Sequence, residues 1–567
     1  MKLISRGNES RCRGITGIVI GAGLASAALL HAQRGGGEWT TKGFDAQRTA
    51  WVRADARLTK DAVQKGQFKF LWKQKVDNEP RQLNSLTDPV LLDLLIGYRG
   101  FKTLAFVGGS ADRIFSIDTD LGRPYWTAHL NYAAATGGQP PSSWACPGGL
   151  MAAASRRTAL APSTFGRGGG GGRGARSGSA VGEPGRGAAI LSQMAQRGAA
   201  PAPPPAPPPQ AARGRAVAPV PFGGVEPLYV MGSDGFLHTL RVSNGSDANP
   251  PVPFVPPSAK PSALIFVDGM VYTTTSSGCG AAPNAVWALD VTTPDAKVVT
   301  WKTGGPDIAG SAGPAFATDG SVVYVATRGG PGQYGNAVVA LDRGTLEPKD
   351  WFSAPGVEFN ASPIVVRFKD KDLVAATGDD GRLYLLDGAS LGGSDHKTPL
   401  FMSPKYTAAG AGAGLATWED QGTRWILAPA LGAPPADAKF TANGLAPNGR
   451  VVAFKVAETG GKPTLEPGWA SRDLSSPLAP IVVNGLAFVV SSGEYRGTGA
   501  VLTAAHRAQR SLPAVLYALD ATTGKELWSS AKTITSFARG GLAAGGGQVY
   551  LVTYDNHLYA FGIPMEH

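Results

Sequence analysis

The chain has 567 residues, of which 43% are hydrophobic and only 17% charged, with 77 glycines and 44 prolines. This composition predicts a large folded body rich in turns. The net charge of +11 lies in two short segments: residues 1–14 carry four basic residues against one acidic residue, and residues 156–215 carry nine arginines against one glutamate. The rest of the chain is balanced, which argues against a basic nucleic-acid-binding face.

The N-terminus has the pattern of a secretory signal peptide. A basic start is followed by an apolar stretch over residues 15–30 and then by Ala32 and Gln33. We predict a signal peptide over residues 1–33, cleaved near Ala32 or Gln33. An uncleaved membrane anchor is the alternative, although the stretch is short and broken by glycine. Cleavage would leave a periplasmic or secreted protein without a membrane span.

Export bears on the cysteines. Cys12 lies within the predicted signal peptide, so Cys146 and Cys279 are the two that remain. Two cysteines in an oxidising compartment favour a disulfide, and two buried thiols are the alternative.

A polar lead-in that contains Trp39 and Trp51 occupies residues 34–67. Residues 68–76 then alternate between apolar and polar side chains as a strand does, but no hairpin partner precedes them. The first complete unit of four short strands follows at residues 91–95, 104–108, 113–118 and 121–126. Its third strand ends in Asp118, and its fourth contains Trp126.

The same four-strand pattern recurs along the chain, and the last unit, near residues 549–561, lacks a fourth strand. Repeated four-stranded units predict a β-propeller. The unpaired strand at 68–76 would complete the last unit and leave no open sheet edge. We therefore predict an all-β, eight-bladed β-propeller of four-stranded antiparallel blades over residues 68–563, closed by the N-terminal strand. Seven blades remain possible if the loose sixth unit, at 425–469, is misread.

Residues 163–220 interrupt the second blade. They consist of Gly/Arg runs followed by a Pro/Ala run, with almost no aromatic residues. Such a composition does not bury enough apolar surface to offset its ordering entropy, so we predict a disordered insert.

One motif gives the repeat a family resemblance. The stretch Ala518-x-Asp520-x-x-Thr523-Gly524-Lys525-x-x-Trp528 resembles the tryptophan-docking repeat of the pyrroloquinoline quinone (PQQ) propellers, the quinoprotein alcohol dehydrogenase-like superfamily. The resemblance implies a structural role, in which Asp and Gly fix a turn and Trp packs between blades. The positions that carry it are Asp118, Gly122, Trp126, Asp290, Trp301, Asp342, Trp351, Asp520, Gly524 and Trp528. Non-catalytic propellers share this motif, including an outer-membrane-assembly lipoprotein.

Strand order predicts which loops share a face. Connections between blades lie on the same face as the turns between second and third strands, and the family binds its quinone there, near the axis. Cys146 and Cys279 both map to this face, which favours their disulfide. Arg81, Asp307, Asn360 and Arg539 precede innermost strands, and Glu494 lies in a long loop of the same face.

The resemblance implies PQQ with Ca²⁺ at this position. Asp307, Asn360 and Glu494 would supply oxygen ligands to Ca²⁺, and Arg81 and Arg539 would pair with the quinone carboxylates. Hydrogen bonding to loop backbone is the alternative role for each of these residues.

Departures from the family leave the activity open, and no catalytic residue is assigned. The adjacent Cys-Cys pair of many family members is absent, as is any Cys-x-x-Cys-His haem motif, and the seven histidines are too scattered for a zinc site. Two functions remain: a quinoprotein-like dehydrogenase of an alcohol or sugar, and a non-catalytic propeller that binds an envelope protein. We expect a monomer.

Overall fold

The computed structural model describes residues 38–97, 100–130, 143–158, 160, 226–293, 295, 297–412, 414–497 and 502–564. The predicted signal peptide and the whole of the predicted insert at 163–220 lie outside these residues. Eight mainly antiparallel sheets form the blades of a β-propeller, which confirms the predicted fold class. No helix in this part of the chain is long and apolar enough to cross a membrane.

We number the blades in chain order and give their strands from the axis outward. Blade 1 consists of Val90–Gly97, Gly100–Gly109, Arg113–Asp118 and Arg123–His129, and blade 2 of Leu228–Met231, Phe236–Leu240 and Asp247–Pro253. Blade 3 consists of Ile265–Val267, Met270–Thr275, Ala285–Asp290 and Val298–Lys302. Blade 4 consists of Asp307–Ile308 with Ala315–Phe316, then Val322–Arg328, Ala337–Asp342 and Pro348–Ser353. In blade 2, Ser155 takes the innermost position and bridges Tyr229.

The second half of the ring follows the same plan. Blade 5 consists of Ile364–Phe368, Lys371–Thr377, Leu383–Asp387 and Phe401–Met402. Blade 6 consists of Ala416–Asp420, Thr423–Leu431, Gly449–Thr459 and Lys462–Ala470, with Thr441–Ala442 outside them. Blade 7 consists of Ile481–Val483, Leu486–Ser491, Val515–Asp520 and Glu526–Ser529, and blade 8 of Leu542–Gly545, Gln548–Val552, His557–Gly562 and Lys69–Lys75. Two short α-helices, Lys60–Gln64 and Ala504–Arg510, and two 3₁₀ turns, Cys279–Ala281 and Gly393–Asp395, lie in connections.

Ring closure follows the prediction. Lys69–Lys75 pairs antiparallel with His557–Gly562 and supplies the outer strand of blade 8. The sixth unit is a complete sheet, so the count is eight rather than seven.

Three tryptophans dock on glycines of the next blade. The Trp469 Nε1 donates to the Ala521 carbonyl oxygen at 2.9 Å, and a Cβ at Gly524 would lie 2.3 Å from the Trp469 ring. Trp126 packs on Gly245 and Trp72 packs on Gly122 in the same way. Glycine is therefore required at these turns by close approach as well as by its positive φ.

Other copies of the motif pack on aromatic rings instead. Tyr334 lies edge-on to both Trp301 and Trp351, with ring centroids 5.4 and 5.7 Å away. Trp528 lies edge-on to Phe68 at 4.7 Å. Trp301 and Trp528 therefore meet an aromatic ring of the next blade, whereas Trp351 stacks on His396 of blade 5 at 3.7 Å.

The lead-in lies inside the propeller, whereas the sequence places it outside the repeat. Residues 39–50, which we call the axial ring, run around the wall of the central channel. Their carbonyl oxygens accept backbone hydrogen bonds from the inner strands of blades 1, 2, 4, 5, 6 and 7, at 2.8–2.9 Å. The Thr41 Oγ1 donates to the Leu264 carbonyl oxygen beside blade 3. The chain itself therefore satisfies polar backbone that would otherwise face the channel.

The axial ring divides the channel between two faces. We call the end that carries the connections between blades the connection face, and the opposite end the turn face. Trp51–Val52 leaves the ring parallel to Ile481–Val483, toward the turn face. There the Asp55 carboxylate accepts the Gly547 N–H at 2.9 Å. The space left in the channel is therefore bounded below by the axial ring and opens toward the connection face.

Candidate functional site

Two adjoining cavities of about 240 and 270 Å³ lie at the axis below the connection face. Their walls are segments that precede the inner strands, and Trp39 and Arg48 of the axial ring line the smaller cavity. Four residues border both cavities, which makes them one continuous axial site: Lys42, Asp88, Ser311 and Arg539.

A buried carboxylate surrounded by arginines lies at this site. The Glu494 side chain is 1% exposed, and three guanidinium groups contact it: Arg496 Nε at 3.0 Å, Arg507 Nη2 at 3.1 Å and Arg539 Nε at 2.9 Å. Arg539 also donates to the Leu83 carbonyl oxygen. Burial lowers the pKa of Arg507 and of Arg539, while the Glu494 charge acts in the opposite direction. One negative charge thus holds three positive ones in place.

Local structure explains how Arg507 reaches Glu494. Thr503 caps the helix Ala504–Arg510 by accepting the His506 N–H, and Arg507 lies within that helix. Its guanidinium also lies 5.0 Å above the Trp144 ring, as a cation–π pair. Trp144 lines the larger cavity, so the helix and the cavity wall meet through this contact.

The axial site carries an excess of positive charge. Among the described residues, five basic and two acidic side chains line the two cavities: Lys42, Arg48, Lys260, Arg496 and Arg539 against Asp88 and Glu494. Both carboxylates are already paired, since Lys42 Nζ lies 2.5 Å from Asp88. Guanidinium and ammonium groups in excess over carboxylates are suited to carboxylate or phosphate ligands.

The predicted site residues divide into two groups. Glu494 and Arg539 line the axial site and form an ion pair. Asp307 instead pairs with Arg328 at 2.8 Å and accepts the Ser277 N–H at 2.7 Å, so it anchors the loop that carries Cys279. Asn360 and Arg81 do not line either cavity.

Asn360 and Arg81 belong to loops beside the site. The Asn360 N–H donates to the Thr377 carbonyl oxygen at 3.4 Å, and its neighbour Ser362 lines the smaller cavity. Arg81 and Asn84 exchange backbone hydrogen bonds at 2.8 Å. These are backbone contacts, and the Asn360 Oδ1 has no hydrogen-bond partner among the described residues. The assignment of the two side chains to a cofactor and the alternative of loop bonding both stay predictions.

The donor set does not fit Ca²⁺. Within the described residues, no group of three His, Cys, Asp or Glu side chains could hold a metal ion. The carboxylates of Asp307 and Glu494 are each engaged by arginine, which competes with a cation for the same oxygens. The predicted Ca²⁺ ligand set therefore stays a prediction, and this geometry weighs against it.

The predicted disulfide is confirmed. Cys146 and Cys279 are bonded, with Cα atoms 5.4 Å apart and a sequence separation of 133 residues. The bridge ties the connection between blades 1 and 2 to the loop of blade 3 that Asp307 anchors. It also fixes the chain two residues from Trp144, at the edge of the larger cavity.

Sequence reasoning missed the residues that come from outside the repeat. Trp39, Lys42 and Arg48 belong to the lead-in, and Asp88 precedes the first blade. The signal that could have found them is the density of aromatic and charged side chains in a segment that has no repeat of its own.

Comparisons with known proteins agree with this fold. A family model described as outer membrane protein assembly factor BamB matches residues 496–563. No curated protein matches the chain with significance. Among solved structures, quinohemoprotein alcohol dehydrogenase from Comamonas testosteroni is 13% identical, with a TM-score of 0.51 over 96% of this chain and 85% of that chain.

Two further structures give similar values. Quinohemoprotein alcohol dehydrogenase ADHIIG from Pseudomonas putida HK5 is 12% identical, with a TM-score of 0.53 over 95% of this chain and 82% of that chain. A europium-containing methanol dehydrogenase is 11% identical, with a TM-score of 0.51 over 94% of this chain and 100% of that chain.

The eight blades form a β-propeller, and the family match lies in its C-terminal part. Its fold is similar to that of the three alcohol and methanol dehydrogenases. At 11–13% identity the likeness extends to the fold alone, so activity has to be argued from the site.

Proposed function

We propose that the axial site binds a carboxylate-bearing quinone of the PQQ class, and that the protein is an exported quinoprotein-like oxidoreductase of a small alcohol or sugar. The observation that carries the proposal is the arginine cluster around Glu494, because it leaves uncompensated positive charge in an axial cavity of this fold. PQQ carries three carboxylates, and guanidinium groups pair with carboxylates in a defined geometry.

The residues present fit the quinone rather than a metal. Arg539 and Arg496 line the cavity and would hold carboxylates, with Lys42 beside them. Glu494 positions the guanidinium groups from the protein side. The quinone, when bound, supplies two-electron oxidation, and the chain has no Cys-x-x-Cys-His motif for a haem that would take up the electrons. A separate carrier would have to accept them.

The test is a titration of the purified mature protein with PQQ, with and without Ca²⁺, followed by absorbance and tryptophan fluorescence. We expect saturable binding at micromolar Kd or tighter, with little dependence on Ca²⁺. Arg539→Gln should weaken binding at least about tenfold, since it removes a charge-assisted contact. Arg343→Gln is the matched control, because Arg343 pairs with Asp268 at the surface.

Two results would overturn the proposal: absence of binding by a folded protein, or equal Kd values for Arg539→Gln and Arg343→Gln. Binding should be followed by turnover of alcohols or sugars with an artificial electron acceptor. Binding without any turnover would contradict the oxidoreductase and leave a ligand-binding propeller.

The second candidate is a non-catalytic propeller that binds a protein of the cell envelope. The match of residues 496–563 to a family described as an outer membrane assembly factor favours it. Both candidates require export, for which the N-terminal pattern is the support. Mass measurement of the protein from the periplasmic fraction of a Gram-negative host would test cleavage near Ala32 or Gln33.

A further inference from the structure

The floor of the axial site contains a buried arginine without a carboxylate partner at hydrogen-bonding distance among the described residues. Arg48 is 2% exposed, and its Nε donates to the Pro314 carbonyl oxygen at 3.0 Å. Its Nη1 donates to the Thr41 hydroxyl and to the Lys42 carbonyl oxygen. The Nη2 group has no hydrogen-bond partner in the described part of the chain.

The nearest acid does not neutralise Arg48 by contact. Asp45 accepts hydrogen bonds from Thr49 and lies 3.4 Å from Arg53. Burial lowers the pKa of Arg48 to about 9, with the Asp45 charge acting in the opposite direction. The guanidinium therefore stays charged at neutral pH, in a place where an unpaired charge is costly.

Two more buried donors at the same cavity have no partner among the described residues. They are the Ser362 Oγ, in a residue that is 5% exposed, and the Trp39 Nε1, in a residue that is 1% exposed. Both residues line the smaller cavity together with Arg48. Buried polar groups are almost always hydrogen-bonded, so three unpaired donors around one cavity indicate a missing acceptor.

We propose that the inner end of the axial cavity is a separate oxyanion subsite, in which Arg48, Ser362 and Trp39 donate to one carboxylate, phosphate or sulfate group. Water could accept from the hydroxyl and the indole, but it carries no charge to balance the guanidinium. An oxyanion satisfies all three donors and supplies that charge.

This subsite deepens the proposed function, on which its placement within a larger ligand site rests. Arg496 and Arg539, beside Glu494, line the same cavity. A ligand that contacts both Arg539 and this subsite would carry two anionic groups. Dicarboxylates and polycarboxylates have this character, whereas a neutral sugar or a monoanion does not.

The experiment measures binding of sulfate, phosphate, acetate and a series of linear dicarboxylates from malonate to adipate by calorimetry, with PQQ in parallel. Trp39→Phe and Ser362→Ala each remove one donor, whereas Arg48→Gln would also remove the bonds of Arg48 to the Pro314 and Lys42 carbonyl oxygens. We expect each to weaken sulfate binding about tenfold or more, as loss of a hydrogen bond to a charged group does. Arg343→Gln, at a surface ion pair with Asp268, should leave sulfate binding within about twofold, as expected for a group outside the subsite.

The outcomes separate the two proposals. Sulfate affinity that is unchanged by Trp39→Phe and by Ser362→Ala would overturn the inner subsite, even if PQQ binds. Sulfate binding that these variants abolish, in a protein that does not bind PQQ, would support the subsite and overturn the quinone. A dicarboxylate affinity that both Ser362→Ala and Arg539→Gln reduce would support a ligand that spans the cavity. No binding of any oxyanion would overturn the subsite.

Discussion

The turns on the turn face and the axial ring both satisfy backbone hydrogen-bonding groups at the end or edge of a sheet, but they do so in opposite ways. The turns repeat one solution, in which the Asp520 carboxylate accepts the N–H groups of Thr522 and Thr523, and Asp342 does the same for Gly344 and Thr345. The axial ring instead uses a different residue for each of the seven blades that it contacts.

This difference shows which parts of the chain determine the fold and which part determines the site. A repeated solution produces blades that are interchangeable in principle, and it gives no blade a distinct chemical role. The axial ring contacts seven blades in succession and contributes Trp39, Lys42 and Arg48 to the cavity. The asymmetry of the site therefore arises from a segment that has no repeat. The experiments below test the two regions against each other.

The largest effect is expected when the axial ring is removed. A chain that begins at residue 53 loses the ring's backbone hydrogen bonds and the buried Trp39 and Trp51. We expect it to lose its cooperative thermal transition, or to melt at least about 10 °C below a control chain that begins at residue 38. Scanning calorimetry measures both. Equal melting temperatures would show that the repeats suffice without the ring.

Removal of a docking tryptophan should destabilise the protein less than removal of the axial ring. Trp469 is 2% exposed and packs on Gly524, so Trp469→Ala should reduce the free energy of unfolding by about 3–5 kcal/mol. Trp144→Ala is the control, because Trp144 is 41% exposed and its loss should cost less than about 1 kcal/mol. Urea denaturation compares them, and similar losses for the two variants would contradict the docking role.

The disulfide links a repeat blade to the irregular connection face. Replacing Cys146 and Cys279 by serine should cost about 2–4 kcal/mol, below the chain-entropy value for so long a loop because the denatured chain keeps residual structure. When reductant is added, the free energy of unfolding of the wild-type protein should fall by the same amount. That of the double variant should not change. A reductant effect of equal size in both would trace the loss to something other than this bridge.

Close approach and backbone strain can be separated at two glycines with similar φ. Gly524 has a φ of 72°, and an added Cβ would meet the Trp469 ring; Gly546 has a φ of 61°, and an added Cβ would meet nothing within 4 Å. Gly546→Ala should cost about 1 kcal/mol through its backbone, and Gly524→Ala about 2–3 kcal/mol, because a steric conflict is added. Equal costs, measured by urea denaturation, would show that docking does not require glycine.

The fold could be predicted because its signals are local and repeated. Each Asp-to-Trp motif specifies a turn and a docking side chain within about ten residues, and the missing fourth strand of the last unit indicated the closing strand. The disulfide could also be predicted, since topology alone places both cysteines on one face.

The site could be predicted only in part, because its residues are far apart in sequence. Glu494 and Arg539 were found from their position before and between strands, but no sequence pattern shows that three arginines meet one carboxylate. Asp307 was placed on the correct face, while its pairing with Arg328 depends on the register of two neighbouring strands within blade 4. Arg48 gave no periodic signal at all.

The smallest expected effect concerns an acid beside the axial ring. Burial, with the Glu38 and Asp55 charges, raises the pKa of Asp93 to about 7, against the opposing Arg156 charge. Between about pH 4 and pH 7 the folded state therefore keeps a proton that the unfolded state has released, so this group makes the protein less stable as pH rises through that window. Asp93→Asn should remove this slope and raise the melting temperature at pH 7.5 by about 2 °C relative to wild type, with no gain near pH 4. Asp268→Asn, at an exposed ion pair, is the control, and parallel curves of melting temperature against pH for wild type and Asp93→Asn would contradict the prediction.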